Sequence, residues 1–197
     1  MAAVPKETRF EKEALIHLDL LFGAALKMTG NRMEAEDLVQ ETALRAFRFF
    51  DKFESGSNCR AWLFKIMTNL YINRYNRKKS LPNTSSYDEI EDFYPEEDMI
   101  FADYIANTEY EIGWIFENLL DDDISALIQE LPEDFRLTVV LCDIQGFSYE
   151  DTARITGVKI GTVKSRLFRA RRKLREGLYK WAKSHGYLPK EILHGAA

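Results

Sequence analysis

Apolar residues recur at three- and four-residue intervals through two separated stretches of this chain, from Glu11 to about Lys79 and again from Asp121 to about Lys183. That spacing is the one-face period of an α-helix, and nothing in the first stretch alternates as a half-buried strand must. An all-α chain is the expectation. Between the stretches, the run SLPNTSSYDEIEDFYPEEDM holds proline, serine and many acids, and no lysine or arginine occurs from Leu81 to Phe135. Such a segment reads as a linker with at most transient helices around Phe101 to Trp114. Its aromatic residues, among them Tyr87, Phe93, Tyr94, Tyr104 and Trp114, are costly to leave all in water, so something receives them. The expected organisation is two small helical domains, residues 10–80 and 121–183, joined by a flexible acidic linker over 81–120 and followed by a tail, 184–197, with no assigned role.

Local signals divide each stretch. In the first, which reads as a bundle of about four helices, one helix carries Leu15, Leu18, Leu21, Phe22 and Ala25 and ends at Gly30. Asn31, with Glu34 three residues on, is a capping-box-like start for the next. That helix turns Leu38, Val39, Ala43, Ala46, Phe47 and Phe50 inward and breaks between Phe53 and Asn58, after which Trp62 opens a helix running through Tyr71 and Tyr75. In the second stretch Ile124, Leu127, Ile128 and Leu131 form one short helix. Pro132 begins another, lined by Leu137, Val140, Leu141 and Ile144 and ended by Gly146. Ser148 to Asp151 is a capping-box-type start for a helix that stops at Gly157, and a long basic helix follows from about Thr162 to Lys183.

The last two helices carry the strongest functional signal. A short turn from Gly157 to Ile160 joins them, and the second is far more basic, as in a helix-turn-helix whose recognition helix enters a major groove. Val163, Leu167, Ala170, Leu174 and Leu178 make a buried stripe, while Lys164, Ser165, Arg166, Arg169, Arg172 and Lys173 lie largely off it. Lys159, Thr162, Lys164, Ser165 and Arg166 would reach base edges or phosphates, with Arg169, Arg172 and Lys173 mainly on phosphates. The plain alternative is a solvated basic face.

A second signal lies between Arg60 and Lys79, where no acidic residue occurs. There Arg60, Lys65, Arg74, Arg77, Lys78 and Lys79 alternate with Trp62, Phe64, Tyr71 and Tyr75, the cations and stacking rings of a single-strand binder. Asn69 and Asn73, one helical turn apart, could bond exposed base edges; the plain alternative is that Trp62, Phe64, Ile66 and Leu70 are simply core, the better reading for Trp62 and Leu70, so the functional reading rests on the polar residues. A third signal is the strip Glu34, Asp37, Gln40, Glu41 and Leu44, at helical spacing opposite the apolar face. It is either a solvated face or a dock for a basic helical partner.

Composition narrows the classes. With 197 residues, 46% of them hydrophobic, the chain can bury one medium core or two small ones. The net charge of −5 alone argues against a nucleic-acid binder, but the average hides the segregation just described. Cys59 and Cys142 lack any disulfide or zinc spacing. His17, His185 and His194 lie near no nucleophile–base constellation, and no glycine-rich phosphate loop occurs, so neither an enzyme nor a cofactor is expected. The N-terminus has no signal-peptide pattern and no apolar run approaches the ~18 residues needed to span a bilayer, so a cytoplasmic protein without membrane insertion is expected.

The segments AEDLVQETALRAFRFFDKF, CRAWLFKIMTNLYINRYNRKK and LPEDFRLTVVLCDIQGFSYEDTARITGVKIGTVKSRLFRARRKL together resemble domains two and four of extracytoplasmic-function (ECF) RNA polymerase sigma factors, in that order. The resemblance implies a non-enzymatic initiation factor. By it, Asp37, Gln40, Glu41 and Leu44 meet the clamp coiled coil of the polymerase β′ subunit, and the second domain docks on the β flap. Ser57, Asn58, Arg60, Lys65, Asn69, Asn73, Arg74 and Arg77 fall in the part that melts the minus-ten element and captures a flipped base. The helix from Thr162 to Arg172 matches the reader of the minus-thirty-five duplex, and the linker matches the segment that threads into polymerase. An anti-sigma factor is an implied partner, with a stress-responsive role. The opening HLDLLFGAALKMTGN is similar to the subgroup governed by zinc-binding anti-sigma proteins, where any zinc belongs to the partner. A stand-alone helix-turn-helix regulator, binding promoters tightly without polymerase and as a dimer on spaced half-sites, is the alternative from another class.

Overall fold

The structure is a computed structural model, and it describes residues 5–54, 56–79 and 121–185. Every regular element among them is helical. Helices α1 (Lys6–Glu13), α2 (Leu18–Thr29), α3 (Arg32–Phe49) and α4 (Cys59–Lys79) build the first unit. The second has α5 (Asp121–Gln129), α6 (Glu133–Val139), α7 (Tyr149–Thr156) and α8 (Ile160–Ser184). The expected linker, its transient helices and most of the tail lie outside the described residues.

The expected start and stop signals hold where they are local. Asn31 Oδ1 accepts from Glu34 N at 3.1 Å and caps α3, and Ser148 Oγ accepts from Asp151 N at 3.0 Å and caps α7. Gly157 ends α7 at φ +76°, a left-handed conformation that a side chain would oppose, and so lets α8 start only three residues later.

Other boundaries differ from expectation. The first helix is two: α1 stops at Ala14, a 3₁₀ turn spans Leu15–His17, and α2 follows. The break lets Phe10 pack edge-on against Phe50 at 5.1 Å while Leu21, Ala24, Ala25 and Met28 of α2 are buried independently. Helix α4 begins at Cys59, three residues before Trp62, because Asn58 Oδ1 accepts from Ala61 N at 3.0 Å. Phe47, expected inside, is exposed at the edge of the bundle, with its ring edge-on to Phe10 and under Lys6. Ile144 is also exposed: α6 runs into a π-helical turn, Val140–Ile144, whose wider coil shifts the facing of the residues beyond it.

The two units are not separate in this structure. Leu137, Val140, Leu141, Phe147 and Ile155 of the second belong to the same buried cluster as Leu21, Leu38, Phe64 and Met67 of the first. Helix α4 lies against α7, and the end of α2 lies against α5 and the π turn. The last carbonyls of α2, left without partners by its own helix, are met from elsewhere. Met28 O accepts from Tyr71 Oη at 2.8 Å and Arg136 Nη1 at 3.0 Å, and Lys27 O accepts from Gln129 Nε2 at 2.7 Å.

Leu38→Ala, at a site with 0% exposure, is expected to lower the unfolding free energy by about 2–5 kcal/mol. Ser148→Ala is expected to cost about 1 kcal/mol. Urea titration followed by circular dichroism measures both.

Candidate nucleic-acid and polymerase interfaces

Helix α8 starts at Ile160 and buries Val163, Leu167, Ala170 and Leu178 against the rest of its unit, with Leu174 half-buried, which is the stripe its spacing predicts. Opposite the stripe, Lys164, Arg172 and Lys173 are exposed, as is Lys159 in the turn. Thr162, Ser165 and Arg169 are half-buried at the margin, and Ser165 Oγ donates to Thr162 O at 3.1 Å. Arg166 departs from expectation. Its side chain is only 13% exposed and reaches Asp134 Oδ2, in the first turn of α6, at 3.3 Å. Position 166 directly precedes the buried Leu167, and its guanidinium folds across α6 instead of projecting from the open face. Arg171, which the sequence did not single out, makes a two-pronged contact with Asp143 at 2.6 and 3.2 Å and secures α8 to the π turn. The carboxylate bond also raises the Arg171 pKa.

On α4, Lys65, Asn69 and Asn73 stand four residues apart and all are exposed, forming one polar face. Ser57 is exposed in the loop before α4, its Oγ donating to Glu54 O at 2.7 Å, and Asn58 is spent partly on capping. The rings do not join this face. Phe64 has 0% exposure and Tyr71 9%, while Trp62 is half-buried against Phe53 at 5.0 Å between ring centres. Phe64 and Tyr71 are core, because their positions fall on the side of α4 that packs. Arg60 is also turned away. Its Nη2 donates to Gln145 O and to Gln145 Oε1 at 3.1 Å, and its guanidinium lies 4.5 Å from the centre of the Phe147 ring. The Arg77 side chain lies outside what the structure describes.

On α3, Asp37, Gln40 and Leu44 are exposed, Leu44 at 72%. Glu41 is the exception in the strip. It accepts from Arg45 at 2.8 Å and from Arg74 at 2.7 Å, and the Arg74 hydrogen bond leads in holding its carboxyl below the usual carboxylate range. The pair joins one residue expected to meet polymerase with one expected to meet DNA. Nothing local in the sequence links positions 41 and 74.

The Cys59 thiol is pushed up to about 11 by burial, and burial also raises that of Cys142, whose Sγ lies 3.2 Å from Thr152 Oγ1. Among the described residues no group of His, Cys, Asp or Glu could hold a metal, and no helix is long and apolar enough to cross a membrane.

Residues 15–81 match the Sigma-70 region 2 family and residues 121–174 the Sigma-70, region 4 family, so the class is that of the sigma-70 RNA polymerase sigma factors. The chain is 36% identical over 169 residues to the ECF RNA polymerase sigma factor SigE of Mycolicibacterium smegmatis, covering 83% of this chain but only 59% of that protein. With the ECF RNA polymerase sigma factor EcfG of Rhodopseudomonas palustris it shares 35% identity over 176 residues, 89% of this chain and 88% of the relative. The chain belongs to the ECF sigma factors, which are transcription initiation factors and not enzymes. The solved sigma factor RpoE in complex with the anti-sigma factor NepR from Bartonella quintana matches at TM-score 0.64 and 31% identity, covering 87% of this chain and 98% of that one. CnrH in complex with the cytosolic domain of CnrY matches in fold, at TM-score 0.58 and 22% identity, over 88% of this chain and 90% of that one. Kinship with the subgroup governed by zinc-binding anti-sigma proteins is not carried by these relatives.

Because the thiolate is the reactive form, native Cys59 is expected to react with iodoacetamide at pH 8 at least ~10-fold more slowly than in urea. Mass spectrometry of timed samples reads the difference.

Proposed function

We propose that this chain binds core RNA polymerase and directs it to promoters by reading two elements in different ways. The minus-thirty-five element is read as duplex through the exposed edge of α8, with Lys159, Thr162, Lys164, Ser165, Arg169 and Arg172 facing DNA and Arg166 bracing the helix. The minus-ten element is held as unpaired strand along Lys65, Asn69 and Asn73. Asp37, Gln40 and Leu44 dock on the β′ clamp, and the second unit on the β flap. The observation carrying this reading is that two exposed polar or basic faces, on α4 and α8, stand on different helical units, each backed by a buried stripe.

Specificity then needs both faces plus the nonspecific grip of polymerase. A net charge of −5 keeps free-chain binding to DNA weak, which limits loss to chromosomal sites. Because the solved sigma factor RpoE, 31% identical, is in complex with the anti-sigma factor NepR, an anti-sigma partner is proposed here too, with release under stress.

The test is run-off transcription from a genomic promoter pool with core polymerase, with and without the chain. Discrete transcripts that require it support the reading. Specific duplex binding by the chain alone, with no added initiation, would instead establish a stand-alone regulator. Lys164→Ala with Arg172→Ala is expected to cut promoter-directed transcription at least ~10-fold and lower the salt slope of DNA binding by about two phosphate contacts, with core affinity unchanged. Asp37→Lys is expected to weaken core binding first, measured by competition for core polymerase.

A further inference from the structure

Thr162, Arg166, Arg169 and Lys173 follow one another at intervals of four, three and four residues along α8, and so share one row of the helix. Thr162 and Arg169 are among the residues proposed above to face DNA, and Lys173 is exposed at the end of the row. Arg166 stands between them, about one turn from each, yet its guanidinium lies elsewhere. Its Nη2 reaches Asp134 Oδ2 at 3.3 Å, and its side chain is 13% exposed against 56% for that of Asp134.

The carboxylate is fixed in this place by the fold. Leu131, Val139, Leu167 and Ala170 form one buried cluster, which Phe135 joins, so the start of α6 is packed against the first half of α8. Thr138 Oγ1 donates to Asp134 O at 2.7 Å and ties down the turn that carries it. Asp134 also stands in the first turn of α6, where a carboxylate suits the positive end of the helix.

A row of cations along a duplex adds grip without sequence information, because each phosphate contact releases condensed counterions whatever the bases are. An arginine spent on a carboxylate of its own chain adds none. Recruiting it to DNA leaves that carboxylate uncompensated near the phosphates, where like charges repel. We propose that Asp134 is a positioning residue that withholds Arg166 from DNA and so lowers the sequence-independent grip of the free chain. This rests on the duplex-reading role proposed for α8. Lys164 and Arg172 keep their open face, and the chain makes one phosphate contact fewer than its row of side chains could supply.

The full chain is titrated against two dye-labelled duplexes, one carrying the minus-thirty-five element of the run-off promoter and one of unrelated sequence. Anisotropy is read between about 50 and 200 mM salt. Asp134→Asn keeps the size of the side chain and removes only its charge. It is expected to steepen the salt slope by about 0.9 on both duplexes and to tighten both alike, about 3-fold at the lower salt. Arg166→Gln keeps much of the packed stem. Alone or added to Asp134→Asn, it is expected to leave the slope of the unaltered chain. A slope unmoved by Asp134→Asn, a gain that persists in the double variant, or a loss of about 0.9 on Arg166→Gln alone overturns the withholding role. Tightening confined to the promoter duplex overturns it as well, since Arg166 then reads bases. Should Asp134→Asn lose its helical circular-dichroism spectrum, the slope of Arg166→Gln decides. If Lys164→Ala with Arg172→Ala leaves the slope unchanged, α8 does not face DNA and the functional reading falls together with this one. A normal loss of slope there, beside any of the overturning results, fells this inference alone.

Discussion

A helix that ends inside a protein must find donors for its last carbonyls, and α2 ends where the two units meet. Its own continuation is stopped by Gly30 at φ +66°, so Tyr71, Gln129 and Arg136 supply the donors, the first from α4 and the others from the second unit. Arg136 also donates to Gln129 O at 2.6 Å and Leu131 O at 3.0 Å, which makes one guanidinium the joint between α2, α5 and α6. Much of the remaining geometry follows. With α6 seated on α2, its continuation brings Leu141 and then Phe147 onto the first unit, α7 comes to lie along α4, and α8 is left with one face free.

What was legible in the sequence is what short-range chemistry decides. Asn31, Ser148 and Gly157 bound helices through bonds to residues at most four away, so their roles could be read without knowing the fold. The stripe of α8 needed only the helical period. Facing set by distant partners was not legible: Phe47 and Ile144 lie outside where an inward position was expected, and of the rings between core and stacking roles, Phe64 and Tyr71 fall to the core. Arg60, Arg74 and Arg166 are indistinguishable by type from the exposed cations beside them. Their partners lie 85, 33 and 32 residues away, beyond any local pattern.

Charge follows the same division between local and distant effects. Segregation along the sequence places basic residues on α8 and acidic ones on α3, which suits opposite partners. Within the structure, however, several of those charges answer each other first. Glu41 is held by Arg45 and Arg74, and Asp143 by Arg171. These pairs are partly exposed, so each contributes little stability, but each sets where a long side chain points before any partner arrives.

The order of the chain gives the shared core a consequence in time. The first unit is complete at Lys79, whereas Phe147 and the α7 that follows it are made some 75 residues later. At about 5–20 residues per second, and with the units made in sequence, that is an interval of roughly 4–15 s. During it the ribosome-bound chain displays α4 uncovered, the apolar side of Phe64 in water and the end of α2 without its distant donors. The nascent protein is thus born open, with Arg60 free, and acquires its cover only as synthesis ends.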